Sequence, residues 1–212
     1  MSTEVPGAGE LNLPQALLLL ATNEKDGEPE VPPSVLKAAL SGAILAELDL
    51  LGAIQLQGKH VRVAGAPPQS DFLHQWELIH EKSRPHSPRR WVAMLESRAE
   101  LHRIYEGLAA LGVVSHVGEK HLGVFRTTRY PEKDHAPEAA LLARIESILN
   151  GSPSDARTAA LIGLLHAAGL MDKLFPGASA ARLGELTGEH WPSRAVRDEL
   201  RMIRLADAEA AT

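Results

Sequence analysis

The chain has no cysteine among its 212 residues, which excludes disulfides, thiolate metal sites and cysteine nucleophiles. That fits a cytoplasmic setting. Aromatic residues make up only 4%, so a core must be built from Leu, Ala, Val and Ile, a composition that favours helices. Long apolar runs are also missing. The longest, LLLLA at residues 17–21, falls far short of the ~20 residues a membrane-spanning helix needs. The opening MSTEVPGAGE has neither a basic start nor an apolar core, so no signal peptide is expected. A net charge of -5 with pI ≈ 6.1 argues against bulk attraction to nucleic acid, and no nucleic-acid partner is expected.

Enzymatic motifs are equally scarce. The 10 histidines are scattered, with no HExxH and no i, i+4 pair on one helix; His74 and His80 are six apart. There is no GxSxG, GxxxxGK[ST] or GxGxxG. The chain therefore reads as a non-enzyme, with no catalytic residue, metal or cofactor expected.

What is present is helical periodicity. Residues 1–10 and 209–212 read as tails around one domain at 11–208. Pro14 opens a short buried helix over 13–22, and NEKDGEPEVPP follows as an acidic surface loop. Leu36, Leu40, Ile44, Leu48 and Leu51 recur at helical spacing over 34–51, before Gly52 as a C-cap. AIQLQGKHVRVAG alternates about Gly58 as a hairpin. A helix is predicted over 70–82 with Phe72, Leu73, Trp76 and Ile79 on one face, and a long one over 88–111. Helices over 136–149 and 154–171 and an amphipathic stretch over 193–208 complete a mainly α chain with two short β-hairpins.

The second hairpin, within LGVVSHVGEKHLGVFRTTRYP at 111–131, is predicted to turn through Gly118. It sets Leu122, Val124 and Phe125 beside Arg126 and Arg129. Residues 44–63 and 104–124 echo each other as helix, glycine stop and hairpin: Leu48, Leu51, Gly52 and Gly58 align with Leu108, Leu111, Gly112 and Gly118. Either a duplication or the shared glycine preference of C-caps and turns accounts for this.

Charge is segregated. Over 81–103 six cations (Lys82, Arg84, Arg89, Arg90, Arg98 and Arg103) face three carboxylates (Glu81, Glu96 and Glu100). Lys120, Arg126 and Arg129 add a second basic cluster. A basic surface beside an apolar hairpin suits an anionic membrane interface, where each cation contributes about 1 kcal/mol; a solvated face is the bland alternative. Arg98 falls inside the apolar stripe of the predicted long helix, between Met94 and Leu101. It is there either to pair with Glu47, which lies among the apolar residues of its own helix, or to grip an anionic head group with its planar fork.

LNLPQALLLLA at 11–21, LSGAILAELDLLGAIQL at 40–56, WVAMLESRAELHRIYEGLAALGVV at 91–114, HLGVFRTTRYP at 121–131 and AALIGLLHAAGLMDKLF at 159–175, in this order, resemble the Golgi phosphoprotein 3 family. The Ala-, Arg- and Gly-rich composition looks like a bacterial member. The resemblance implies a helix bundle wrapped by amphipathic helices. It also implies binding of phosphatidylinositol 4-phosphate and a hairpin used for membrane insertion or self-association. The family's lipid pocket corresponds to Pro32, Ser41, Arg98 and Leu101 here, so only Arg98 is retained; Lys37 and Arg103 lie nearby as candidate substitutes. The expected head-group residues are Arg98, Arg89, Arg90, Lys37 and Arg103. The expected membrane or oligomer contacts are Leu122, Val124, Phe125, Arg126 and Arg129. The leading reading is a peripheral membrane protein that binds an anionic lipid or phosphoinositide head group. The alternatives are a self-associating protein-interaction module, with partners that sequence does not name, and a winged-helix-like DNA binder.

Overall fold

The computed structural model describes residues 11–121, 125–188 and 190–210, and the side chains of all of these except 119–121 and 125–127. Among them are ten helices and two antiparallel hairpins. The centre is formed by α1 (Leu13–Leu20), α2 (Pro33–Leu50) and α7 (Ala156–Ala167). Every residue of α1 is buried, which its unbroken apolar run demands. Asn12 starts it with a capping box closed by Gln15, satisfying two orphan backbone donors reciprocally. The Leu36, Ile44 and Leu48 period of α2 is buried as expected.

Around this centre lie α4 (Pro88–Leu95), α9 (Ala180–Thr187) and α10 (Trp191–Ala210), each with one apolar face. Close approach is made possible by glycine. A Cβ on Gly42 of α2 would stand 2.2 Å from Val196 Cγ2 of α10, and one on Gly163 of α7 would stand 2.6 Å from Ser193 Oγ.

The two helix–glycine junctions are built alike. Gly52 and Gly112 take φ of 67° and 78°, and the next amide donates back to Leu48 O or Leu108 O, at 3.0 Å in both. The echo ends there. In the first hairpin, β1 (Ile54–Gln57) and β2 (His60–Val63) turn through Gly58 at φ 60°. In the second, β3 (Val117–His121) and β4 (Phe125–Arg129) pair from Val117↔Arg129 to His121↔Phe125, with Gly118 opposite Thr128. Gly118 is therefore a ladder residue and not the turn.

Other expectations are corrected. The predicted 88–111 helix is two helices, α4 and α5 (Arg98–Ala110). Ser97 breaks the run: its backbone is extended (φ -147°, ψ 133°) and its hydroxyl accepts from Glu100 N, the competition with helix that serine supplies at an N-cap. The break resets the helical phase, so Arg98 leaves the apolar stripe and is exposed. Phe72, the N-cap residue of α3 (Leu73–Glu81), and Trp76 and Ile79 within it are buried, but Leu73 is 39% exposed. After α6 (Ala136–Leu149) and α7, the structure adds α8 (Met171–Leu174) and α9, neither of which the periodicity shows.

Candidate functional site

A cavity of about 400 Å³ opens where α2 and α5 begin. Leu36 and Lys37 enter it from α2, Arg98 and Leu101 from α5, and Thr128 and Tyr130 from the end of the second hairpin. No side chain caps α2, whose Ncap is Pro32 and whose first residue is Pro33. Two helix starts thus converge on one cavity, and each carries a partial positive charge in its first turn. Lys37 and Arg98 add two full charges. Neither has a salt bridge or side-chain hydrogen bond among the described residues; burial raises the nearby Glu96 carboxyl, and the Lys37 charge offsets only part of that.

The back wall is aromatic. Tyr105 and Tyr130 stack with ring centroids 4.1 Å apart and planes within 3°. Thr22 donates to Leu18 O, so its oxygen accepts from the Tyr105 hydroxyl at 2.8 Å. Tyr130 donates to Glu106 at 2.9 Å. Burial pushes the Tyr105 hydroxyl up to about 12 and raises that of Tyr130 as well, with the Glu106 carboxylate adding to the latter. The side wall depends on Gly27, at φ 69°, where a Cβ would lie 2.3 Å from Pro131 N. Only glycine fits a positive φ pressed this closely on backbone.

Of the five sequence-predicted head-group residues, this cavity unites Arg98 and Lys37. Arg103 turns elsewhere: it pairs with Glu100 and lies 5.2 Å over the Phe72 ring. Arg89 pairs with Glu199 of α10 at 2.8 Å, beside a larger cavity of about 580 Å³ that also holds Asp198. Arg194 and Arg201 line that larger cavity too; the smaller one is singled out because the starts of two helices converge on it with Arg98 and Lys37. Arg90 is exposed, its amide donating to Ser87. Arg129 meets Glu28 at 2.9 Å. Leu122 and Val124 lie outside the described residues, as do the side chains of Phe125 and Arg126. Of the positions matched to the family pocket, Leu101 also lines the cavity, whereas Ser41 is buried and donates to Lys37 O.

The expected alternative for Arg98, a pair with Glu47, is overturned. Glu47 is gripped by Arg157 of α7 at 2.7 and 2.8 Å and accepts from Leu13 N at 2.8 Å. The burial of Glu47 does signal a partner; the helix break frees Arg98 from that role. The signals for the site that sequence reading missed were Gly27, hidden in a turn-rich loop, and the two tyrosines.

Two other polar groupings stand apart. His190 Nδ1 meets Ser193 Oγ at 2.5 Å, but Ser193 is fully buried against Gly163, where no substrate reaches it. Glu24, Glu132 and His135 converge near the start of α6. Burial, with the Glu132 and Glu24 charges, pushes the neighbouring Glu138 carboxyl up to about 8.

Buried α1, α2 and α7, wrapped by one-faced helices and carrying a hairpin after each of two helix–glycine junctions, define a mainly α class of protein. Among the described residues no helix is long and apolar enough to cross a membrane. A family model described as Golgi phosphoprotein 3 (GPP34) matches residues 13–203. The chain belongs to this family. Comparison with curated proteins gives no match.

Proposed function

We propose that this protein is a non-enzymatic binder of anionic head groups at a membrane surface, with the cavity between the starts of α2 and α5 as its site. One observation carries this reading. Arg98, the first residue of α5, and Lys37, one turn into α2, neither in an ion pair among the described residues, stand where two helix starts converge on one apolar-backed cavity. A phosphate monoester would accept from the Arg98 fork and the Lys37 ammonium while its carrier packs on Leu36 and Leu101. Family membership makes phosphatidylinositol 4-phosphate the first ligand to test.

The hairpin supports the same reading. Its last residues, Thr128 and Tyr130, are part of the cavity wall, so a hairpin entering a leaflet would bring the cavity to head-group depth. Leu122, Val124 and Phe125 are the proposed anchors and Arg126 and Arg129 the flanking charges, the apolar residues adding roughly 1.5–3 kcal/mol each if fully buried.

Co-flotation with neutral, anionic and phosphatidylinositol 4-phosphate vesicles tests this. Binding should prefer the phosphoinositide vesicles, and Arg98→Ala or Lys37→Ala, each still folded by circular dichroism, should weaken it by about tenfold or more. Absence of binding to every vesicle would sink the reading. So would equal binding by wild type and both variants.

A second reading, a protein-interaction module, draws on α10. Met202 and Leu205 are 46% and 49% exposed at the edge of the larger cavity. Light scattering over a concentration series would separate it, since self-association raises the mass without vesicles.

A further inference from the structure

Three loop segments meet on the far side of Tyr130. The amide of Glu132 donates to Glu24 O at 3.0 Å, Ser115 N donates to Pro131 O at 2.8 Å, and Val114 and Glu132 form an isolated β-bridge. This lacing fixes the backbones of residues 24 and 132 side by side. His135, the N-cap residue of α6, follows one turn later. Glu24, Glu132 and His135 each place one donor atom within 4.8 Å of the other two.

Glu132 is the unusual member. Its side chain is 2% exposed. One carboxylate oxygen contacts His135 Nδ1, and the other, Oε1, is buried with no hydrogen-bond partner. A buried carboxylate oxygen left unsatisfied is costly and calls for an explanation. The explanation lies beside it. A cavity of about 10 Å³ is lined by Glu24, Glu132 and Glu138 against Leu19, Val114 and Tyr130, with His135 outside its lining. It has room for one ion or one water beside the Glu24 and Glu132 carboxylates.

We propose that Glu24, Glu132 and His135 bind a divalent first-row transition cation such as Zn²⁺, with Glu138 able to complete the shell. Two carboxylates and one imidazole form a mixed O/N donor set, which suits zinc and its neighbours better than Ca²⁺ or Mg²⁺, whose ligands are oxygens. The ion neutralises the crowded carboxylates and supplies the partner that Glu132 Oε1 lacks. Its role is a clip. It ties the loop bearing Gly27 to the start of α6, and so braces one wall of the head-group cavity; the site itself is independent of whether that cavity takes a lipid.

Metal-stripped full-length protein is titrated with Zn²⁺ at pH 7 against a chromogenic chelator, with Ca²⁺ in a parallel run. One equivalent of Zn²⁺ should bind and raise the Tm by mass action, and Ca²⁺ should not compete. His135→Ala and Glu132→Gln should each weaken binding by about tenfold or more, the scale on which ligand loss acts. His74→Ala, a control, should not. His135 is 67% exposed on its side chain, so its alanine variant keeps the fold and settles the matter even if Glu132→Gln unfolds. No saturable binding at one equivalent overturns the proposal. Binding and Tm shift retained in His135→Ala overturn it equally.

Discussion

Arg157 grips both carboxylate oxygens of Glu47, at 2.7 and 2.8 Å, across 110 residues of chain. Glu47 also accepts the first amide of α1, so a single carboxylate ties α1, α2 and α7 together. Its side chain is 6% exposed, whereas that of Arg157 is 38% exposed. Arg157→Ala should therefore cost about 2–4 kcal/mol, somewhat below a fully buried pair because water reaches the guanidinium. Thermal unfolding checks this, at about 2–4 °C per kcal/mol for a chain of this size. Arg98→Ala should leave the Tm nearly unchanged.

Gly42→Ala should destabilise despite the better helix propensity of alanine. The propensity gain is about 1 kcal/mol, but the new methyl would stand 2.2 Å from Val196 Cγ2, and overpacking costs typically about 1–3 kcal/mol or more. A net loss of about 1–2 kcal/mol in urea unfolding is expected. Adding Val196→Ala should recover part of it by making room, and a double variant no better than the single would show that the crossing is not limiting.

Gly27→Ala should act on binding more than on the core. The positive φ and the backbone of Tyr130 and Pro131 within 2.5 Å leave no place for a methyl, so the loop must move and the bond from Tyr130 N to Gly27 O is lost. Helix content should hold while binding to phosphoinositide vesicles falls at least severalfold. Wild-type binding by this variant would mean that the loop is not part of the site.

His190 predicts acid sensitivity. Burial first, then the Arg197 and Arg194 charges, pushes its ring down to about 4 from an ordinary value near 6.5. A depressed histidine stabilises the fold in its neutral form. That contribution is complete above about pH 6.5 and is lost as pH falls toward 4. His190→Asn keeps a polar partner for Ser193 and removes the titration, so the drop in urea midpoint between pH 7 and pH 5 should shrink. An unchanged drop would place the acid sensitivity elsewhere.

How much of this was legible in the chain varies with the range of the interaction. The Leu36, Ile44 and Leu48 period gives α2 to within a residue, because each turn repeats the same local demand. Glycines at 52 and 112 give the helix ends for the same reason. Ser97 shows the limit: WVAMLESRAELHRI reads as one apolar period, and only the hydroxyl competing for Glu100 N interrupts it. Glu47 among apolar neighbours announces a cation but not which one, since Arg157 is distant in sequence and arrives only through the packing of α7 on α2. The cavity was legible in Arg98 and Lys37. Its walls were not, because Gly27, Tyr105 and Tyr130 come together from three separate segments.

Those two tyrosines are the only ones in the chain, and both lie stacked at the back of the same cavity. The molecule thus carries a built-in optical gauge. Both hydroxyls are held above the ordinary phenol value by burial, so tyrosinate absorbance that appears at the ordinary value during an alkaline titration reports that this one place has opened, and no other. A loop shift that opens the cavity would bring that signal to lower pH, and an occupant that holds it shut would delay it, with no label attached.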